Sequence, residues 1–440
     1  VRIGAPARDR ACAPRSRARA AIRSGPERAG GRPIASHAIV VGAGPAGALL
    51  AYLLARRGLA VTLFERSRDF AREFRGEVLM PSGLEALDQT GLWAEVEGVP
   101  HVVLRAFEFY VDGVRRARQE LPVEVFGRHR PRWMSQPALL EMLVAQAGRF
   151  PGFRLLRGAT VRALLESEGR VRGVRALGPE GVEMELGAEL VVGADGRSST
   201  VRRRAGFAER ADRLPMDVVW FRLPRPAFLA ADEPFRFYAG NGQLLLAAPV
   251  YGGELQIGWV IAKGAYGDLR QRGLPEWIDR MAAHVSPDLA GHLRRHRGDA
   301  THPFLLSTVS DRVLSWSRPG VLLLGDAAHT MSPVGAQGIN LAIRDALAAA
   351  NELVPVLGAG AEPAALDAAC RRVEEARAPE VREIQRLQSF PPRILLSSAW
   401  WARLALRILP RVLASDLARA RQGAVFRRFA FGTSDVRLRV

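Results

Sequence analysis

Ala38-Ile39-Val40-Val41-Gly42-Ala43-Gly44-Pro45-Ala46-Gly47 is the stretch whose reading decides the fold. A short apolar run ends at a glycine turn, a helical stretch follows to Arg57, Gly58 stops it, and a second apolar run occupies Val61 to Phe64. Strand, helix and strand in that order are the kernel of a parallel sheet. The glycines spell G-x-G-x-x-G. Gly42 permits the tight turn, Gly44 lets backbone approach a pyrophosphate, and Gly47 lets the helix pack close to the strand, with Pro45 and Ala46 between them at the helix start. Backbone N–H groups and the positive helix end then face phosphate. An acidic residue about 20 positions on is expected to accept from a ribose hydroxyl. Glu65, followed by Arg66, stands there at the end of the second strand. The motif predicts a dinucleotide site and leaves NAD and FAD open.

Two later apolar runs end in a similar way. Val191-Val192-Gly193-Ala194-Asp195-Gly196-Arg197-Ser198-Ser199-Thr200-Val201-Arg202 reads as a buried strand, an Asp-Gly turn and a Ser/Thr-rich helix start, for which a capped helix after a core strand is a sufficient account. Gly320-Val321-Leu322-Leu323-Leu324-Gly325-Asp326-Ala327-Ala328-His329 ends in Gly-Asp and runs through Pro333, Gly335, Gly338, Ile339 and Asn340 into a helix. Asp326 at a strand end can accept from the hydroxyls of a polyol. The amides near Gly338, Ile339 and Asn340 can point at a developing negative charge. Two dinucleotide-type elements so far apart in the chain suit one extended ligand clasped at both ends, which favours FAD.

Composition limits the alternatives. The chain has 440 residues, 25% charged and 48% hydrophobic, the balance of a soluble globular protein of two or three domains. A net charge of +18 taken alone would suggest a polyanion partner. Its distribution argues against nucleic acid: residues 1–36 carry nine Arg against Asp9 and Glu27, residues 361–440 carry another +7, and the segment between holds only +4. Cys12 and Cys370 are too far apart in sequence to form a C-x-x-C pair or a disulfide framework, which points to a reducing cytoplasm. The apolar stretch Ile394 to Leu413 is broken by Arg403, Arg407 and Arg411, which excludes a simple bilayer span. Those arginines form one helical face beside Trp400, Leu404 and Ile408, compatible with peripheral membrane contact but better suited to packing on the enzyme body or a second subunit, so monomer and homodimer both stay open. His292 and His296 have metal-ligand spacing, yet flanking arginines read as a solvated basic face, and no metal site is expected.

The pattern predicts an α/β protein. Residues 1–36 read as a disordered Arg-rich extension, with a transit peptide as the alternative; 37–210 and 306–390 form a Rossmann-like domain with a parallel sheet; 211–305 form a mostly antiparallel β-sheet substrate domain; 391–440 form a helical segment. Runs between Phe153 and Val192 read as one small meander, and Val218 to Leu223, Phe235 to Tyr238, Leu244 to Pro249 and Leu255 to Ile261 as a separate sheet.

The three glycine-containing motifs, in this order, resemble the class A flavoprotein monooxygenases, the para-hydroxybenzoate hydroxylase-like group. Phe74-Arg75-Gly76 with Pro81, and Gln136 before the Leu139 to Leu143 helix, extend the resemblance over about residues 38–390. It implies FAD as cofactor, with Gly42, Gly44, Pro45, Ala46 and Gly47 at the pyrophosphate and Glu65 and Arg66 near the adenosine ribose. Arg75 and Gln136 would meet the flavin, Gly325 and Asp326 the ribityl or pyrophosphate, and Pro333, Gly335, Gly338, Ile339 and Asn340 the isoalloxazine. Asp195 belongs to the motif linked to both FAD and NAD(P)H. The implied reaction takes hydride from NAD(P)H and uses O2, through a flavin C4a-hydroperoxide, to hydroxylate or epoxidise an aromatic or polyketide-like small molecule. The cofactor does the difficult chemistry, so no catalytic residue is assigned. Trp220, Arg222, Phe237, Trp259 and Pro333 are the substrate-side candidates, and His329 is expected near the flavin, in a structural hydrogen-bonding role at least as readily as an acid/base one. A flavin reductase of the geranylgeranyl-reductase type, without oxygen insertion, shares these fingerprints and is the alternative.

Overall fold

The computed structural model describes residues 37–71, 77–212, 214–229, 234–240, 242–358, 362–389, 396–397, 399, 401 and 416–440. The 1–36 extension, Phe74-Arg75-Gly76 and the Arg403, Arg407 and Arg411 ladder therefore lie outside the described residues. In the first sheet, His37–Val41 pairs in parallel with Ala60–Glu65 on one side and Leu190–Gly193 on the other. Val321–Leu323 joins beyond Leu190–Gly193, Phe153–Arg157 joins beyond Ala60–Glu65, and Ser317–Arg318 closes one edge antiparallel. The central strands are continuous apolar runs because helices cover them. Helix Pro45–Arg56 packs on Gln136–Ala147 and Gln337–Gly358 in one large core.

The expected single meander between 153 and 192 is divided. Thr160–Ser167, Arg170–Leu177 and Glu183–Gly187 form a three-stranded antiparallel sheet, but the first and last runs enter the parallel sheet. Their apolar content suits either setting, and only the partner strand decides.

The second sheet has seven strands, with Gln243–Val250 at its centre, Glu254–Ala262 beside it and Met216–Pro224 next. It is antiparallel except where Phe235–Gly240 runs parallel to Ala106–Val111. That pairing corrects the expected boundary at residue 211: Ala106–Val111 and Val114–Glu120 belong to this sheet, although they come from within the 37–210 segment. Helices Leu274–Ala282 and Pro287–Arg295 back one face, burying Trp277, Ile278, Met281, Leu289 and Leu293 against Val219, Tyr238, Ile257 and Trp259. The opposite face carries Val218, Trp220, Phe235 and Val260 toward the first domain. Alternation along each strand assigns every side chain to one face or the other.

A buried charge network ties the described C-terminal segment to the parallel sheet. Asp345 Oδ1 accepts from Arg377 Nε at 2.9 Å, Arg377 and Arg344 both donate to Glu380, and Glu380 accepts from the Thr433 backbone N–H at 2.8 Å and from Ser434 Oγ at 2.9 Å. Burial would raise the Asp345 carboxyl, but His329 and Arg377 beside it hold it below the usual value; Arg377 and Arg344 do the same for Glu380. Removing one partner from such a network strands the rest. Arg377→Met is expected to lower unfolding stability by about 3–5 kcal/mol, the usual cost of an uncompensated buried charge, measured as the shift in denaturant midpoint.

Candidate functional site

Parallel pairing places Val41, Gly193 and Leu323 side by side, so the loops leaving the three strands open at the same edge of the sheet. Gly42, Asp195 and Gly325-Asp326, far apart in sequence, meet there. Ligands of open α/β sheets bind outside the carboxyl ends of the strands for this reason.

The glycines of the first loop do different work. Gly42 has φ +99°, and a Cβ on it would stand 2.5 Å from the Ala194 carbonyl oxygen; a Cβ on Gly47 would stand 2.0 Å from the Gly42 oxygen. The protein itself requires both. A Cβ on Gly44 would meet nothing closer than 3.9 Å, so the space before it is left open at the start of helix Pro45–Arg56, which has no side-chain cap and no acidic residue in its first turn. An uncapped, uncharged helix end in front of free space suits an anion such as a pyrophosphate. Glu65 is buried and holds the loop: Oε2 accepts from the Ala43 N–H at 3.1 Å and Oε1 from the Ser67 N–H at 2.9 Å. Arg66 is exposed, and Arg75 lies outside the described residues.

In the second loop the capping account holds for the side chain. Asp195 accepts from Ser199 Oγ, from Thr200 N–H at 2.6 Å and from Val201 N–H at 3.2 Å. Two arginines of the same motif, not singled out from the sequence, brace the third loop. Arg197 Nε donates to Asp326 Oδ2 at 3.3 Å, and Arg202 Nη1 donates to the Ala327 carbonyl at 3.0 Å. Asp326 stays one-third exposed, leaving acceptor capacity for a ligand hydroxyl. The Gly325 N–H donates to Asp345 at 3.2 Å, and His329 pairs with the same carboxylate at 2.7 Å, a structural partnership.

Pro333, Gly335, Gly338 and Ile339 follow at the start of helix Gln337–Gly358. The Asn340 side chain is engaged within the protein: it accepts from Met80 N–H at 2.8 Å and donates to the carbonyls of Val78, at 3.3 Å, and Ala336, at 2.6 Å. What remains for a ligand at 338–340 is the backbone N–H groups of the first helical turn.

The substrate-side candidates separate by face. Trp220, Arg222 and Phe237 point toward the first domain, whereas Trp259, 3% exposed, points into the helix-backed core, where its Nε1 donates to Gln243 at 3.3 Å and its ring contacts Trp277. Trp259 is therefore a core residue. Its expected role is corrected by a register that only strand pairing fixes, since Trp259 stands opposite Val219 and not Trp220.

Arg222 belongs to a polar cluster. It donates to Gln256 at 2.9 Å, to Glu254 at 2.8 Å and to Glu77 at 3.0 Å, and Glu77 also accepts from Trp133 Nε1 at 3.0 Å, Tyr251 Oη at 2.8 Å and the Gln136 backbone N–H. Burial pushes the Glu77 carboxyl up despite Arg222 beside it. Glu77 immediately follows the quoted Phe74-Arg75-Gly76, and an acid at that place in the stretch was the available signal. Around the cluster lies an aromatic group: Phe107, Phe126, Trp133, Trp220 and Phe235 are buried, Phe237 partly so, and Val334 and Ala336 of the third loop pack against them.

His292 and His296 have separate partners, the Pro224 carbonyl at 2.8 Å and Asp299 at 2.7 Å. Among the described residues no group of three His, Cys, Asp or Glu is placed to hold a metal ion, and no helix is long and apolar enough to cross a membrane. Burial raises the Cys370 thiol to about 12, so it is unreactive.

The family described as FAD binding domain matches residues 35–383. A 6-methylpretetramide 4-monooxygenase of Streptomyces rimosus is 35% identical over 413 residues, covering 91% of this chain and 93% of that protein. A kynurenine 3-monooxygenase of Salinispora arenicola is 29% identical over 334 residues, 70% of each. Among solved structures, p-nitrophenol 4-monooxygenase PnpA from Pseudomonas putida superposes with TM-score 0.75 at 20% identity, covering 91% of this chain and 99% of that one. PqsL from Pseudomonas aeruginosa gives 0.71 at 23%, covering 84% and 99%. At these identities the structural likeness carries the fold alone.

The two outer glycines and the middle one are expected to fail differently. Gly44→Val should fold, with unchanged circular dichroism, and purify without flavin absorbance, because its side chain fills only the space before the helix. Gly47→Val should fail to fold, since its Cβ has no room.

Proposed function

Because the chain belongs to the FAD binding domain family and is an FAD-dependent monooxygenase, we propose that it hydroxylates or epoxidises an aromatic or polyketide-like small molecule held against the aromatic face of the second sheet. The carrying observation is the group formed by Trp220, Phe235, Phe237, Phe107 and Trp133, packed against Val334 and Ala336 in the loop of the third fingerprint. An apolar, ring-rich face with a few converging polar groups suits a flat ligand. FAD, when bound, supplies hydride acceptance from NAD(P)H, the co-substrate typical of the family, and the activation of O2. The protein binds and orients. Gly42, Gly44 and Gly47 with the N–H groups of Pro45–Arg56 would hold the pyrophosphate, Glu65 the loop and the adenosine ribose, Asp326 a ribityl hydroxyl, and the N–H groups of 338–340 the pyrimidine edge of the flavin. Gln136 and Arg75 would complete the flavin side. Aromatic side chains exclude water from the reacting face.

The name of the Streptomyces rimosus relative supports a polyketide-like substrate. We further infer a cytoplasmic enzyme from the widely spaced cysteines, acting as monomer or homodimer. Turnover under 18O2 with a substrate that stimulates NAD(P)H oxidation is expected to place one labelled oxygen in the product, read by mass spectrometry. An unlabelled product would return the reaction to a reductase of the geranylgeranyl-reductase type.

A further inference from the structure

The aromatic face has a second side. Helix Asp416–Phe431 lies across it, burying Ala430 fully and packing Phe426 and Phe431 into the same group. The Phe426 ring meets Phe107 edge-on at 6.0 Å and Phe126 at 6.1 Å, and Phe431 stacks on Phe126 at 5.6 Å with 8° between planes. These two residues lie outside the 35–383 span that the family model matches, whereas the sheet side and the loop of the third fingerprint lie within it.

The wall is held firmly. Gln337 Nε2 donates both to the Gly335 carbonyl at 2.7 Å and to the Phe429 carbonyl at 2.8 Å, stapling the helix to that loop. Just beyond the helix, Thr433 and Ser434 enter the buried network of Arg344, Arg377 and Glu380. A wall anchored through its last turn to the fingerprint loop, and just beyond that turn to buried charges, acts as a size limit where Phe426 and Phe431 stand, not as a swinging flap.

We propose that Phe426 and Phe431 are the specificity-determining residues of the enzyme, setting the largest fused-ring system that reaches the reacting face. The proposal rests on the aromatic-substrate reading given above. Shortening either ring lengthens the space opposite Phe107 and Phe126 without touching a residue that holds the cofactor.

The test uses the full-length FAD-loaded protein and three probes of increasing size, phenol, 1-naphthol and 1-hydroxyanthracene, with binding read at equilibrium from the change in the bound-flavin absorbance spectrum. Phe426→Ala and Phe431→Ala are compared with wild type and with Val425→Ala, an exposed position on the same helix. Phe426→Leu and Phe431→Leu serve where alanine does not fold. The ratio of affinities is expected to shift toward the larger probes by about tenfold or more in the Phe variants, the discrimination that one or a few apolar groups supply in a pocket. In Val425→Ala it should stay as in wild type. If the probes perturb the wild-type flavin but the Phe variants keep the wild-type ratio within about twofold, less than a single methylene usually gives, the proposal is wrong while the aromatic-substrate reading stands. If no probe perturbs the flavin in any form, that reading falls and the proposal with it.

Discussion

Parallel, in-register pairing of His37–Val41, Leu190–Gly193 and Val321–Leu323 is the constraint on which the rest depends. It delivers three loops from distant parts of the chain to one edge, and each loop then needs support from the others. The Ala194 carbonyl lies so close to Gly42 that no side chain fits there. Asp345 holds the Gly325 N–H, and Arg197 and Arg202 reach from the second loop to the third. A change of pairing by one residue would separate all of these contacts at once.

The second sheet uses the same geometry for another purpose. Because successive side chains alternate, a single strand such as Met216–Pro224 contributes Val219 and Phe221 to the helix-backed core and Trp220 and Arg222 to the aromatic, polar face. One element thereby serves the helix-backed core and the face toward the first domain without the two competing for the same positions. Glu77 joins the two domains, since its carboxylate accepts from Arg222 of the second sheet and Tyr251 of the turn between two of its strands, and from Trp133 and Gln136 of the first domain.

Residues whose role depends on local backbone were legible in the sequence. The turn at Gly42, the close packing at Gly47 and the open space before Gly44 could be read because all three are set within one strand–turn–helix unit, and the place of Glu65 at the end of its second strand follows from that unit's length. Residues whose role depends on tertiary pairing were not. Trp259 and Trp220 look equivalent in an apolar strand, and cross-strand register alone sends them to opposite faces. Ala106–Val111 gives no sign in the sequence that its partner is Phe235–Gly240. Asn340 reads as a ligand-side amide, yet it holds Val78 and Met80, some 260 residues away, in a contact that no pattern reports. Phe426 and Phe431 sit in a basic helix whose apolar positions show little periodicity, so only the folded chain reveals what they face.

The route of the chain through the parallel sheet has a consequence for biosynthesis. Synthesis supplies Val321–Leu323 long after His37–Val41 and Leu190–Gly193, so the nascent protein must carry the first two strands with one flank unpaired until some 130 further residues have emerged. Exposed apolar strand edges of that kind are hazards for aggregation. The edge where the three loops meet is therefore complete only late in translation, and the charged seal around Glu380, which needs Thr433 and Ser434, closes later still.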